Sequence, residues 1–255
     1  MLNCDTFHKN TQKTCVLKKE LAMKVALING QNHKGSTYHI GKMLAEKLTD
    51  NENISEVFLP RDMPKFCIGC VRCIMEGENV CPDYQYMEPI TQIIDSADVL
   101  IFTSPVYVLH ATGSIKALLD HYAYRWMSHR PEGKMFGKQG AIISTAAGIG
   151  MKSTLKDMRD SLSYWGVGRI YSYGIGVQAM SWREVADKKK VKIESKTDRL
   201  AKAIKRRKGK VRPSLKTKLI FGIMRQMQKK PWNPADGDYW MEKGWMGSKR
   251  PWNNR

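Results

Sequence analysis

Four of the six cysteines in this 255-residue chain fall within KFCIGCVRCIMEGENVCPDY, spaced C-x2-C-x2-C-x7-C at Cys67, Cys70, Cys73 and Cys81. Thiols this close in sequence can hold an iron–sulfur cluster, bind zinc, pair as disulfides, or line a pocket as free thiols. Zinc usually takes two separated Cys-x2-Cys pairs, not three cysteines in tandem. Disulfides are disfavoured if the chain stays in a reducing compartment. The N-terminus, MLNCDTFHKNTQKTCVLKKELAM, lacks the apolar core of a secretory signal. No stretch reaches the ~18 apolar residues a membrane span needs. The cytoplasm is therefore the expected location. Cys4 and Cys15 sit in the polar leader and read as incidental.

A second set of candidate residues lies in three segments, GQNHKGST, SPVY and STAAGIG, each following an apolar run. The elements that must position them can be read from periodicity. KVALING (24–30) is a short, apolar, β-branched run and predicts a buried strand; ISEVFLP (54–60) alternates and stops at Pro, a second strand. VLIFTSPVY (99–107) begins fully apolar and breaks at Ser-Pro, QGAIISTAAGIG (139–150) is a strand running into a Gly-rich turn, and RIYSYGIGV (169–177) is the last strand candidate. Helical spacing appears through Ile40, Met43, Leu44 and Leu48, in MEPITQIIDSAD (87–98), in TGSIKALLDHYAYRW (112–126) and in MKSTLKDMRDSLSYWG (151–166). The cysteine segment is expected as a loop after the second strand. Strands apolar along their whole length, alternating with helices, predict an α/β fold: a doubly wound five-stranded parallel sheet with helices on both faces. Such sheets bind ligands beyond the carboxyl ends of their strands, where these three segments emerge. Ser36 and Thr37 at a helix N-terminus suit a phosphate, with Lys34 or a protonated His33 adding charge.

At these loops the chain resembles the NADPH-dependent FMN reductase branch of the flavodoxin-like proteins, over roughly residues 23–180. The first loop of that family reads roughly G-S-P-R-x-G-[NS]-[ST], where this chain has Gly30-Gln31-Asn32-His33-Lys34-Gly35-Ser36-Thr37. The second is s-P-v-Y followed by G-x-[LI]-K-x-[LF]-[LI]-D-R, matched by Ser104-Pro105-Val106-Tyr107 and Gly113-Ser114-Ile115-Lys116-Ala117-Leu118-Leu119-Asp120-His121. The third, Ser144-Thr145-Ala146-Ala147-Gly148-Ile149-Gly150, is the small-residue loop such proteins place against the flavin ring. The resemblance implies FMN bound by Gln31, His33, Lys34, Ser36, Thr37, Pro105, Val106, Tyr107, Ser144, Thr145, Ala146, Ala147 and Gly148, with NAD(P)H as electron donor. Gln31-Asn32-His33 replaces the usual Ser-Pro-Arg, and His121 stands where Arg is common. The same branch includes iron–sulfur flavoproteins, whose compact cysteine segment after the second strand holds a [4Fe–4S] cluster. That likeness implies Cys67, Cys70, Cys73 and Cys81 as ligands, and Pro82 echoes the Cys-Pro ending of ferredoxin-type runs. Free thiols lining the flavin pocket remain the main alternative. The cofactor carries the chemistry in either case, so no general acid or base is expected. Lys116 and Asp120 read as a structural ion pair.

The net charge of +19 is concentrated at one end: Arg183 to Arg255 holds 23 Lys/Arg against 7 Asp/Glu. This divides the chain into a polar leader (1–22), a flavodoxin-like FMN-binding domain (23–182) and a basic, partly helical C-terminal extension (183–255). Leu200, Ala203 and Ile204 give a weak helical face there, and Leu219, Ile220, Ile223, Met224 and Met227 a better one. An arm packing across a partner subunit in a homo-oligomer, dimer or tetramer, is the first expectation. A surface attracting an acidic redox protein such as ferredoxin is the second. Nucleic-acid or anionic-lipid binding ranks behind both, since KRRKGKVR lacks a recognised nucleic-acid fold signature. The alternative function class is a non-enzymatic α/β scaffold binding a polyanion or acidic protein through this extension.

Overall fold

The computed structural model describes residues 22–253; the leader through residue 21, with Cys4 and Cys15, lies outside the described residues. All five expected strands form: β1 (Val25–Asn29), β2 (Ile54–Phe58), β3 (Val99–Pro105), β4 (Gln139–Ala146) and β5 (Arg169–Gly176). They pair in parallel in the order β2-β1-β3-β4-β5. Every residue of β1 and β4 is buried, as apolar runs covered on both faces require. The chain leaves β1 for β2 on one side and then crosses to β3 on the other, so the order reverses between β1 and β3.

Helices α1 (Ser36–Leu48), α2 (Arg72–Met75), α3 (Tyr84–Ser96), α4 (Gly113–His121), α5 (Met151–Tyr164), α6 (Asp187–Lys205), α7 (Leu215–Met227) and α8 (Pro234–Glu242) complete the described chain. On one face of the sheet, Met87, Ile90 and Ile94 of α3, Leu118 of α4, and Met158 and Leu162 of α5 cover Ala26, Ile28, Phe102 and Ile142. On the other, Ile40 and Leu44 of α1, with Ile193, Leu200 and Ile204 of α6, cover Leu27, Ile101 and Ile143. The expected boundary after residue 182 thus falls ahead of a helix that the structure packs into the body. Two expectations need correction. The cysteine segment is not all loop, because α2 and a short 3-10 turn at Glu78–Val80 form within it. The helix expected over 112–126 ends at His121, followed by a separate turn at Ala123–Arg125.

The extension folds against its own chain rather than projecting from it. Phe221, Trp240 and Trp245 form a third core with Met127 and Phe136. The Phe221 and Trp240 rings lie 4.8 Å apart, and Phe136 meets Phe221 edge-on at 5.5 Å.

Candidate active site at the carboxyl edge of the sheet

The three loops converge. The segment after β1 meets the one after β3 where Gln31 Nε2 donates to the Tyr107 hydroxyl. It meets the loop after β4 where the hydroxyls of Thr37 and Thr145 approach to 2.5 Å, both buried. The second and third loops join through Val106 N, which donates to Thr145 O at 2.9 Å. Residues more than a hundred positions apart therefore share one site, at the switch in strand order.

Local chemistry explains why the first loop sits there. Gly30 bonds to Thr103 O at 2.7 Å, and a Cβ at this position would lie 2.6 Å from Ile115 and 2.8 Å from Thr103 O. Only glycine allows that approach. Its carbonyl accepts from the hydroxyls of Thr112 and Ser114, each at 2.8 Å, which ties the loop to the start of α4. Thr112 also caps α4, accepting from Ile115 N. Helix α1 opens at Gly35 with no side-chain cap and no acidic residue in its first turn. Its first amides and the positive end of its dipole are thus suited to an anion.

The other expected residues take varied places. Ser36 is buried at the helix start, while His33 and Lys34 are exposed. The Lys34 ammonium lies over the rings of Tyr38 and Phe58, at 5.3 and 5.9 Å from their centroids. Pro105 ends β3 half-buried; Ser144 and Ala146 are buried in β4, with the Ser144 hydroxyl unpartnered. Ala147 and Gly148 are exposed, and a Cβ on Gly148 would meet nothing within 4 Å. Tyr107, Val108, Leu109 and Ile149 form an exposed apolar rim. Val108 and Leu109, the centre of a two-residue turn closed by bonds between Tyr107 and His110, have φ of 48° and 65°. Asp157 of α5 holds this turn, facing His110 Nδ1 at 3.0 Å and accepting from Ala111 N at 3.1 Å.

The cysteine segment leaves the same sheet edge, following β2. Gly69 and Val71, with φ of 67° and 54°, turn the chain into α2. All four thiols are free, Cys67 and Cys70 exposed, Cys73 and Cys81 half-buried. Burial, then the charges of Cys81, Cys67 and Cys70, push the Cys73 thiol up to about 11. Cys81 is also raised, chiefly by burial, with Cys70 and Cys67 contributing. Cys67, Cys70 and Cys81 thus lie near enough to act on the charge of Cys73. Cys81 Sγ also lies within 4.8 Å of Asp83 and His121. His121, fully enclosed, faces Ala117 O through Nδ1 at 2.7 Å and Asp83 through Nε2 at 3.0 Å. Both its nitrogens are engaged, which reads as support for Cys81 rather than as a metal ligand.

Residues that sequence reasoning missed hold α2 from behind. Arg130 donates to the carbonyls of Cys73 and Ile74, and Asn233 Nδ2 donates to Ile74 O at 2.7 Å. Buried Asp236, of α8, orders Arg130 at 2.7 Å and also faces His129 at 2.8 Å. No local sequence signal links positions 73, 130 and 236. A cavity of about 640 Å³ opens at the opposite, amino edge of the sheet, between Lys24, Asp98, Glu132 and Lys138. None of the expected cofactor residues lines it, so its size does not make it the site.

An iron–sulfur flavoprotein of Archaeoglobus fulgidus is 29% identical over 218 residues, spanning 80% of this chain and 92% of the relative. One of Clostridioides difficile is 32% identical over 102 residues, 38% of this chain and 45% of its own. Among solved structures, an FMN-dependent NADH-azoreductase of Bacillus anthracis in complex with FMN superposes with a TM-score of 0.50 at 17% identity. It spans 70% of this chain and 99% of that one. The NAD(P)H:quinone oxidoreductase of Methanothermobacter marburgensis gives 0.53 at 14% identity, over 70% and 96%. Likeness at that identity establishes the fold. Residues 23–178 match the NADPH-dependent FMN reductase family, and the chain belongs to it as an FMN-dependent oxidoreductase.

Proposed function

We propose that the three loops bind FMN for electron transfer from NAD(P)H, and that Cys67, Cys70, Cys73 and Cys81 hold a [4Fe–4S] cluster beside them. The convergence of Gln31 with Tyr107 and of Thr37 with Thr145 carries the flavin reading. Ser36, Thr37 and the open amides of α1 hold the phosphate, with Lys34 and His33 supplying positive charge at the rim. Pro105, Val106, Ser144, Thr145, Ala146, Ala147 and Gly148 would line the ring, and the open space at Gly148, where a Cβ meets nothing within 4 Å, leaves room for its approach. Tyr107, with Val108, Leu109 and Ile149, shields that ring from water. When bound, the flavin supplies hydride and one-electron chemistry and the cluster single-electron transfer.

Sequence spacing supports the cluster over zinc, which usually takes two separated Cys-x2-Cys pairs rather than three cysteines in tandem. Four unpaired thiols suit a reducing compartment, so we place the protein in the cytoplasm. A homo-oligomer and an acidic redox partner, steered toward the protein by its net charge of +19, complete the reading.

Gly148→Leu tests the flavin site. The new side chain meets no protein atom at its Cβ, so thermal unfolding of the apoprotein should hold while FMN binding, followed by flavin fluorescence quenching, is lost. FMN affinity equal to that of the unmodified chain would place the flavin elsewhere.

A further inference from the structure

The outer face of α7 is apolar where a surface helix is ordinarily polar. Leu215, Leu219, Ile223 and Met227 recur every fourth residue and are 85%, 65%, 49% and 58% exposed. Trp232, a few residues on, is 78% exposed. The helix cannot roll to hide this ridge. Its opposite side is pinned by fully buried Phe221, whose ring meets Trp240, Trp245 and Trp252 within 5.6 Å. Arg225 further ties it to the carbonyls of Met246 and Gly247, at 2.8 and 3.0 Å.

Along the sequence that carries the ridge the charge has one sign. From Arg199 to Ala235 the chain holds thirteen Lys/Arg and no Asp or Glu. Lys208, Lys210 and Arg212 precede the helix, Lys216 flanks the ridge, and Lys229 and Lys230 close it; all are exposed. A second copy is a poor occupant, because pairing ridge to ridge would set these cations against each other with no acid in the segment to offset them. An acidic protein would answer the lysines but leave the aliphatic row against a polar surface. An anionic bilayer answers both. Aliphatic side chains enter the acyl boundary, Trp232 takes the interfacial level, and long basic side chains reach the headgroups. The helix, about 20 Å long, would lie in the interface plane rather than cross it. We propose that α7 with Trp232 is a membrane-surface docking face, selective for anionic lipid, that brings the oxidoreductase to a bilayer.

Co-sedimentation of the full chain with vesicles tests this. Vesicles of phosphatidylglycerol mixed with phosphatidylcholine should bind the protein, and pure phosphatidylcholine should not. The double variant Leu219→Glu/Ile223→Glu, altered only at exposed positions, should weaken binding at least about tenfold while leaving circular dichroism unchanged. Four results would overturn the proposal. One is no binding to the anionic vesicles. Another is binding equal in the double variant, which would mean charge alone attracts. The third is a ridge already occupied, seen as a dimer in sedimentation velocity that the variant dissociates. Soluble polyglutamate bound tightly by the chain and lost in the variant would likewise reassign the ridge to an acidic protein.

Discussion

At the scale of single residues, the site is marked by strain at one turn. Val108 and Leu109 both adopt positive φ, the pattern of a type I′ turn that favours Asn-Gly. Val is among the residues least suited to that region, and Val108 makes no compensating burial, being almost fully exposed. Asp157, and Ser153, whose hydroxyl donates to the Leu109 carbonyl, hold the turn from α5. Strain of this kind collects at functional sites. Val108→Asn should therefore stabilise the apoprotein by about 1 kcal/mol in urea unfolding, because Asn tolerates the left-handed region. A neutral or destabilising effect would show that the turn is unstrained.

Between elements, the link that matters runs from α8 through Arg130 to α2. Asp236 is buried and pairs with Arg130, itself mostly enclosed, and Arg130 holds the carbonyls of Cys73 and Ile74. Removing one partner of a buried pair leaves an unmatched charge. Asp236→Ala should cost on the order of 3 kcal/mol and open the cysteine segment to trypsin at Arg72. Unfolding within 1 kcal/mol of the parent, with unchanged proteolysis, would make this brace incidental. How far the elements were legible in sequence follows from the same physics. Strands such as VLIFTS announce themselves because both faces are covered, and Met87, Ile90 and Ile94 mark the inner face of α3. In α6 a high lysine content leaves Leu200 and Ile204 as only a weak apolar face and hides Ile193, yet all three cover the sheet. In α7 the sequence offers Leu219, Ile220, Ile223, Met224 and Met227 as one apolar face, yet the structure buries Phe221 and leaves Leu219, Ile223 and Met227 outside. Periodicity finds a helix but cannot choose between two apolar faces. The contacts of Arg130, Asn233 and Asp236 had no signal, since they depend on where distant segments meet.

For the molecule as a whole, tyrosines with raised pKa lie in both body and extension. Burial raises Tyr122, Tyr124 and Tyr239 well above the ordinary tyrosine value of 10.0, and Tyr38 to about 12. A folded chain that keeps protons the unfolded chain releases has this stability in full below pH 10, and loses it as pH rises through the folded values. Tyrosinate absorbance from these four should thus appear together with loss of circular dichroism above pH 10; ionisation near pH 10 in an intact fold would contradict their burial. Tyr239 belongs to the extension and the others to the body, so both should respond in one transition. The central claim, that one sheet edge carries both a flavin and a thiolate-bound cluster, is tested most directly by chemical analysis of anaerobically purified protein. The account predicts about four irons and four acid-labile sulfides per FMN, with iron lost and FMN kept in Cys70→Ser. Bound FMN with iron near zero would contradict it.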